Sequence, residues 1–229
     1  GESSYLPGKS QLHKYISDLL PELRKNEIKK VFYCNLLDDF SLDIQNAGFA
    51  NIFGGIVHAT NHQDGAIGQQ KQFIDYEDAI MSMSKQTIVG SQLMKNRVPY
   101  DVDVLGLPVH MNIQEPIIND KILFSHRLMK DKNVDMLLEL PNELKDKITI
   151  ACPAGSTTYI GKVQKDFKNF YFNHSKEVYL KLLSESGFGL SFAKVDTFGY
   201  SLMEGIFSGL TYLVHDNDTT TYREFVIDE

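Results

Sequence analysis

The chain has 229 residues, of which 42% are apolar and 23% charged, with 16 glycines, 7 prolines and a formal net charge of −7. At ~100 to 200 residues per domain this length allows one large or two small domains, with enough apolar residues to bury a core. Disordered, collagenous and low-complexity classes are excluded, no apolar run reaches the ~18 to 20 residues of a membrane span, and the two cysteines, Cys34 and Cys152, form neither a disulfide framework nor a zinc ribbon, so a reducing, cytoplasmic setting is expected.

Residues 1–113 carry 10 basic and 13 acidic side chains, and residues 114–229 carry 13 and 17. Neither half is a basic module, so no strong nucleic-acid footprint is expected, and without a basic amphipathic helix no stable membrane insertion is expected either. The chain opens Gly-Glu-Ser-Ser with no signal-like segment behind it, which reads as a processed end, a tag scar or an internal boundary.

Leu12, Tyr15, Ile16, Leu19, Leu20 and Leu23 recur at helical spacing, and Val31-Phe32-Tyr33-Cys34 follows as a short buried strand. Asn51 to Ala59 is a second apolar run, Phe73, Tyr76, Ile80 and Met83 mark another helix, and Gln86 to Gly90 and Val102 to Leu107 give two more strands. From Lys121 the alternation resumes: strand at Ile122 to Phe124, helix at Val134 to Leu140, strand at Ile148 to Ile150, helix at Val178 to Leu183, then strand at Phe188 to Phe192, helix at Tyr200 to Ser208 and strand at Leu210 to Val214. Short apolar strands separated by helices predict parallel sheets covered on both faces, with ligands at the carboxyl ends of the strands. The periodicity breaks across Asn112 to Asp120, which divides the chain at 113/114 into two Rossmann-like halves.

The most informative stretch is Asp196-Thr-Phe-Gly-Tyr-Ser-Leu-Met-Glu204-Gly-Ile-Phe-Ser-Gly209, placed after a strand and opening a helix. Phe198-Gly199 is a turn exposing backbone amides, and the helix behind it favours an anion in the cleft. This resembles the E-x7-E motif of retaining glycosyltransferases of the GT-B fold, family 4-like, here present as D-x7-E. Phe198, Gly199 and Gly209 fall in register and Glu204 matches the second acid, while Asp196 replaces the usual first Glu and Gly205 the usual Ala.

Upstream, Phe124-Ser-His-Arg127-Leu-Met-Lys-Asp-Lys132-Asn-Val-Asp looks like the same family's strand followed by Gly-Arg-x4-Lys-Gly, with His126 and Asn133 in place of both glycines. In the family the Arg and Lys hold the donor diphosphate, a task that suits guanidinium and ammonium groups. Lys132 precedes Glu204 by 72 residues, and the strand and helix contexts of both motifs agree.

In the first half, Gly55-Ile-Val-His58-Ala-Thr-Asn-His62 resembles the strand-end loop where family members place a His facing the donor sugar, with His58 as the candidate ahead of His62. Lys85 to Ser91, followed by Gly106-Leu-Pro108-Val109, resembles the family's passage into the second domain. Asp101-Val-Asp103 has the Asp-x-Asp form that holds a divalent metal in other transferases, but its place at a strand start reads as a solvent-facing pair. Gly155-Ser-Thr-Thr158 reads as a polar loop at a strand's carboxyl end, within reach of a nucleobase or ribose. No Ser/His/Asp order, Walker loop or Gly-x-Gly-x-x-Gly is present.

The resemblance implies an α/β GT-B fold: residues 1–113 as an acceptor-side domain and 114–229 as a nucleotide-sugar-binding domain, each short of a complete domain and so expected to be part of a longer chain. It implies a metal-independent transferase without cofactor that moves a sugar from a nucleotide-diphosphate donor to an unspecified acceptor with retention. In this scheme Asp196 orients sugar hydroxyls, Arg127 and Lys132 stabilise the departing diphosphate, Phe198, Gly199 and Tyr200 shape the phosphate loop, Glu204 holds the ribose, and His58 faces the sugar. The alternatives are a non-catalytic nucleotide-sugar-binding or assembly subunit and a GT-B epimerase.

Overall fold

A computed structural model describes residues 31–33, 52–57, 60, 62, 71–106, 113–196 and 198–225. The expected helix at Leu12 to Leu23, together with Cys34, His58 and Pro108, lies outside these residues. The chain divides into two compact units, Gly1–Leu105 and Gly106–Glu229.

In the first unit, β1 (Val31–Tyr33), β2 (Ile52–Val57), β3 (Gln86–Val89) and β4 (Asp103–Val104) form a sheet in the order β1-β2-β3-β4. Every pairing is parallel. Parallel neighbours need crossovers: α1 (Lys71–Met83) links β2 to β3, and α2 (Gln92–Arg97) links β3 to β4. The α1 spacing buries Ile80 and Met81, which share this unit's core with Val57, Ile88, Val89 and Met94. The sequence reading had no helix at α2; its signal is Ser91, whose Oγ caps the helix by accepting from the Met94 amide at 3.2 Å.

The second unit is a five-stranded sheet in the order β7-β6-β5-β8-β9. Its strands are β5 (Ile122–Phe124), β6 (Ile148–Cys152), β7 (Asn169–Phe172), β8 (Phe188–Ser191) and β9 (Thr211–Val214), again all parallel. The helices are α3 (Val134–Leu138), α4 (Asn142–Lys145), α5 (Thr157–Asp166), α6 (Lys176–Glu185) and α7 (Tyr200–Phe207). One sheet face packs Phe124, Val134, Leu137, Ile148, Ile150 and Val163, and a second cluster joins Leu123, Ala151, Leu182, Leu183 and Leu210. Each such side chain contributes about 1.5 to 3 kcal/mol of burial.

Three expectations change. The helix read across Val134 to Leu140 stops at Leu138, because the residue before a proline resists the α conformation, and past Pro141 a separate short helix, α4, follows that had not been expected. The polar loop read at Gly155 to Thr158 ends early: Ser156 Oγ accepts from the Tyr159 amide at 3.3 Å, so Thr157 and Thr158 already begin α5. Asn169–Phe172, left outside the predicted elements, is the edge strand β7.

Strand order fixes where a ligand belongs. From β5 the chain runs outward through β6 and β7, then returns to the other side of β5 for β8 and β9. The loops leaving the carboxyl ends of β5 and β8 therefore flank the switch point, the place where open parallel sheets bind their ligands.

Candidate functional site

The loop after β5 runs through His126, Arg127 and Leu128 into a 3-10 turn at Lys130–Lys132. Asn133 then takes the left-handed conformation, with φ 52° and ψ 47°, which Gly and, among the other residues, Asn adopt most readily. The loop after β8 reaches Asp196 and turns at Gly199, whose φ of 76° is again left-handed. A side chain at Gly199 would also approach the Tyr222 ring, its Cβ 2.9 Å from Cε1.

Lys132 joins the two loops. Although the residue is only 8% exposed, its Nζ donates to the Val195 carbonyl at 2.9 Å and to Asp196 Oδ2 at 3.1 Å. Tyr222 OH donates to the same Oδ2 at 3.0 Å, while Asp196 Oδ1 accepts from the Gly199 amide at 2.9 Å and the Phe198 amide at 3.4 Å. Burial alone would raise the Asp196 carboxyl, but the Lys132 charge and the hydrogen bonds from Lys132 and Tyr222 hold it below the usual carboxylate range.

His126 stands in the same cluster, buried, with Nδ1 3.2 Å from Ser201 Oγ. Burial and the neighbouring Lys132 charge, partly opposed by Asp196, lower its pKa to about 4, so the ring is neutral near pH 7. Among the described residues its buried Nε2 has no hydrogen-bond partner. The N-cap of α7 is Gly199, which has no side chain to cap the helix, and the helix N-terminus adds a positive potential beside Lys132. Arg127 is half exposed and reaches Asp131 Oδ2 at 3.3 Å, an oxygen that lies 3.8 Å from Lys132 Nζ.

Lys132, Asp196, Phe198 and Gly199 thus share one hydrogen-bonded cluster, with Arg127 attached through Asp131. Phe198 is buried, edge-on to Tyr200 at 5.0 Å and to Phe225 at 5.9 Å, whereas the Tyr200 side chain is exposed. Glu204 sits one turn further along α7 in a different contact, accepting from Tyr179 OH at 2.8 Å. Beside Tyr222 opens a cavity of about 540 Å³ lined by Val214, His215, Asn217 and Thr220.

The sequence reading missed Tyr179, Tyr222 and the filling role of Tyr212. The only signal for Tyr212 was the glycine at 205: a Cβ there would lie 2.2 Å from Tyr212 Cε2, and one at Gly189 would lie 2.1 Å from the same atom.

In the first unit, His62 Nε2 pairs with Asp78 Oδ1 at 2.7 Å, and Thr60 Oγ1 donates to buried Glu77 at 2.7 Å. Asp101 and Asp103 are both exposed, as a solvent-facing pair requires. Among the described residues no group of three or more His, Cys, Asp or Glu side chains is placed to hold a metal ion, and no helix is long and apolar enough to cross a membrane.

Neither a protein-family model nor a curated protein matches the sequence. Solved structures do match the fold. A pneumococcal O-GlcNAc transferase GtfA in complex with UDP and GlcNAc superposes with a TM-score of 0.62 at 16% identity, covering 92% of this chain and 46% of its own. A point mutant of S. aureus TarM in complex with fondaparinux, alpha-GlcNAc-glycerol and UDP gives 0.60 at 18%, covering 76% and 38%. WaaG, a glycosyltransferase of lipopolysaccharide biosynthesis, gives 0.59 at 13%, covering 97% and 68%. The chain therefore spans less than half the length of the GtfA and TarM chains. All three are GT-B glycosyltransferases, and the likeness establishes the fold: α/β of the GT-B type, with parallel sheets flanked by helices.

Proposed function

We propose that the chain belongs to an enzyme that transfers a sugar from a nucleotide-diphosphate donor to an acceptor with retention, without metal or cofactor. The observation that carries this reading is Lys132, fixed between Val195 O and Asp196 Oδ2 at the N-terminus of α7 and at the switch point of the sheet. A buried ammonium, a nearby guanidinium and the N-terminal amides of α7 form a cradle suited to a diphosphate leaving group.

On this reading Arg127 and Lys132 take the diphosphate, with the amides near Gly199 and Tyr200 contributing and Phe198 holding their turn. Glu204 accepts from a ribose hydroxyl. Asp196 enters the reaction by exchange: Lys132 turns from Oδ2 to the phosphates, and Oδ2 then accepts from a sugar hydroxyl. Catalysis consists of positioning and of stabilising the departing charge. The UDP in the GtfA and TarM structures makes UDP-sugars the first donors to try.

A second reading rests on the saturation of Asp196. A carboxylate offers about four acceptor positions, and four protein donors, two backbone amides, Lys132 and Tyr222, already address this one. If Lys132 stays in place, Asp196 is a structural anchor and the chain a nucleotide-sugar-binding subunit.

Calorimetric titration with UDP-, GDP- and ADP-sugars, followed by a nucleotide-release assay and NMR of the product anomer, tests both. Donor binding lost in Lys132→Ala together with nucleotide release and an unchanged anomer supports the transferase. Binding without release across an acceptor panel supports the subunit, and no binding of any donor overturns both.

A further inference from the structure

Glu204, the acid assigned above to the nucleotide ribose, does not stand alone. Tyr179 OH donates to its Oε2 at 2.8 Å, and no other hydrogen bond reaches this carboxylate among the described residues, so Oε1 is left open. Tyr179 has little freedom of its own. It rises from the first turns of α6, which Ser175 caps, and packs against the Leu182 and Leu210 cluster. The His174 ring stacks against it with centroids 5.7 Å apart and planes 23° from parallel. Burial, and next the Glu204 charge, raise its phenol far above the ordinary value, so it stays a proton donor at any working pH.

Two rigid elements therefore meet through one bond: α6 supplies a fixed donor and α7 a flexible acceptor. A glutamate side chain free to rotate would spread its lone pairs over several rotamers, and ordering it on ligand binding would cost affinity. With Oε2 pinned by Tyr179, the carboxylate plane is set before any ligand arrives.

We infer that Tyr179 is a positioning residue that orients Glu204 so that Oε1 accepts from a ribose hydroxyl, making Tyr179 a determinant of selectivity for ribonucleotide over deoxyribonucleotide donors. This rests on the nucleotide-donor reading above. A site built to hydrogen-bond a hydroxyl discriminates strongly against the analogue that lacks it, because its own polar group is left unpaired.

The test is calorimetric titration of UDP, GDP and ADP into the parent, and of UDP and 2′,3′-dideoxyuridine diphosphate into the parent, Tyr179→Phe, Glu204→Ala and the double variant. Tyr179→Phe keeps the ring on His174 and removes only the hydroxyl, and its thermal midpoint verifies the fold. The expected result is preference of the parent for UDP, UDP affinity about tenfold lower in Tyr179→Phe, unchanged affinity for the dideoxy nucleotide, and no further loss when Tyr179→Phe is added to Glu204→Ala. Equal UDP affinity in the parent and Tyr179→Phe overturns the inference and leaves the nucleotide reading intact, as does an equal loss for both nucleotides, which would mark a purely structural tyrosine. A parent that binds none of UDP, GDP and ADP overturns the nucleotide reading and this inference with it.

Discussion

Lys132 Nζ lies 3.1 Å from Asp196 Oδ2, and both side chains are largely withdrawn from water, 10% and 15% exposed. Breaking such a pair leaves an uncompensated charge in a poorly solvated place. Lys132→Met is expected to lower unfolding stability by about 3 kcal/mol, and adding Asp196→Asn to recover more than half of that loss. Urea denaturation midpoints measure both changes. A loss under about 1 kcal/mol in Lys132→Met would mean that water, not Lys132, satisfies Asp196.

Gly205 and Tyr212 fill one space. Position 205 is Gly, and the Tyr212 ring occupies the place that a methyl there would take. Gly205→Ala should cost about 1 to 3 kcal/mol through overpacking. Tyr212→Leu removes the obstructing ring but also the bond from Tyr212 OH to the Ser201 carbonyl at 2.9 Å, so it is destabilising too. The double variant should lose less than the sum of the two, by about 1 kcal/mol or more. Additive losses would show that ring and methyl do not compete.

What the sequence disclosed follows from how locally each feature is encoded. Strand and helix alternation was legible because apolar periodicity is a property of neighbouring residues: β8, α7 and β9 fall within a residue or two of their expected bounds. Lys132, Asp196 and Gly199 were singled out by resemblance to a motif, and of the three only the turn at Gly199 is encoded locally, its left-handed φ of 76° favouring glycine. The bonds that define their state were not legible. Tyr222 lies 26 residues from Asp196 and Tyr179 25 from Glu204, and nothing in a tyrosine's own neighbourhood announces a distant carboxylate. Helices α2 and α5 escaped because their stretches are polar, leaving only Ser91 and Ser156 as caps to mark them.

His126 gives stability a pH dependence of definite sign. Its ordinary pKa of 6.5 falls to about 4 in the fold, so between these values the unfolded chain binds more protons than the folded one, and stability rises with pH. The contribution is complete above about pH 6.5 and is lost as pH falls towards 4, on the order of 3 kcal/mol in all. Asp196, with its lowered carboxyl, adds loss of the same sign at still lower pH. His126→Gln retains a polar partner for Ser201 and should flatten the limb between pH 6.5 and 4 while leaving the steeper fall below it. An unchanged profile would mean that the ring takes up its proton without cost, with Asp196 compensating for Lys132 and Arg127.

Arg127 separates binding from folding. Its side chain is 49% exposed and, among the described residues, pairs at 3.3 Å with Asp131, one turn away, a surface contact that contributes little stability. Arg127→Ala is therefore expected to change unfolding stability by less than about 0.5 kcal/mol. If the guanidinium clamps a diphosphate, the same variant should weaken UDP binding about tenfold and reduce the sensitivity of that binding to added salt, since one fewer charge is neutralised. Lys132→Ala, by contrast, should lose both stability and UDP. Titrations at low and high ionic strength, paired with urea midpoints, distinguish the two cations, and an Arg127→Ala variant that binds UDP like the parent would remove Arg127 from the donor site.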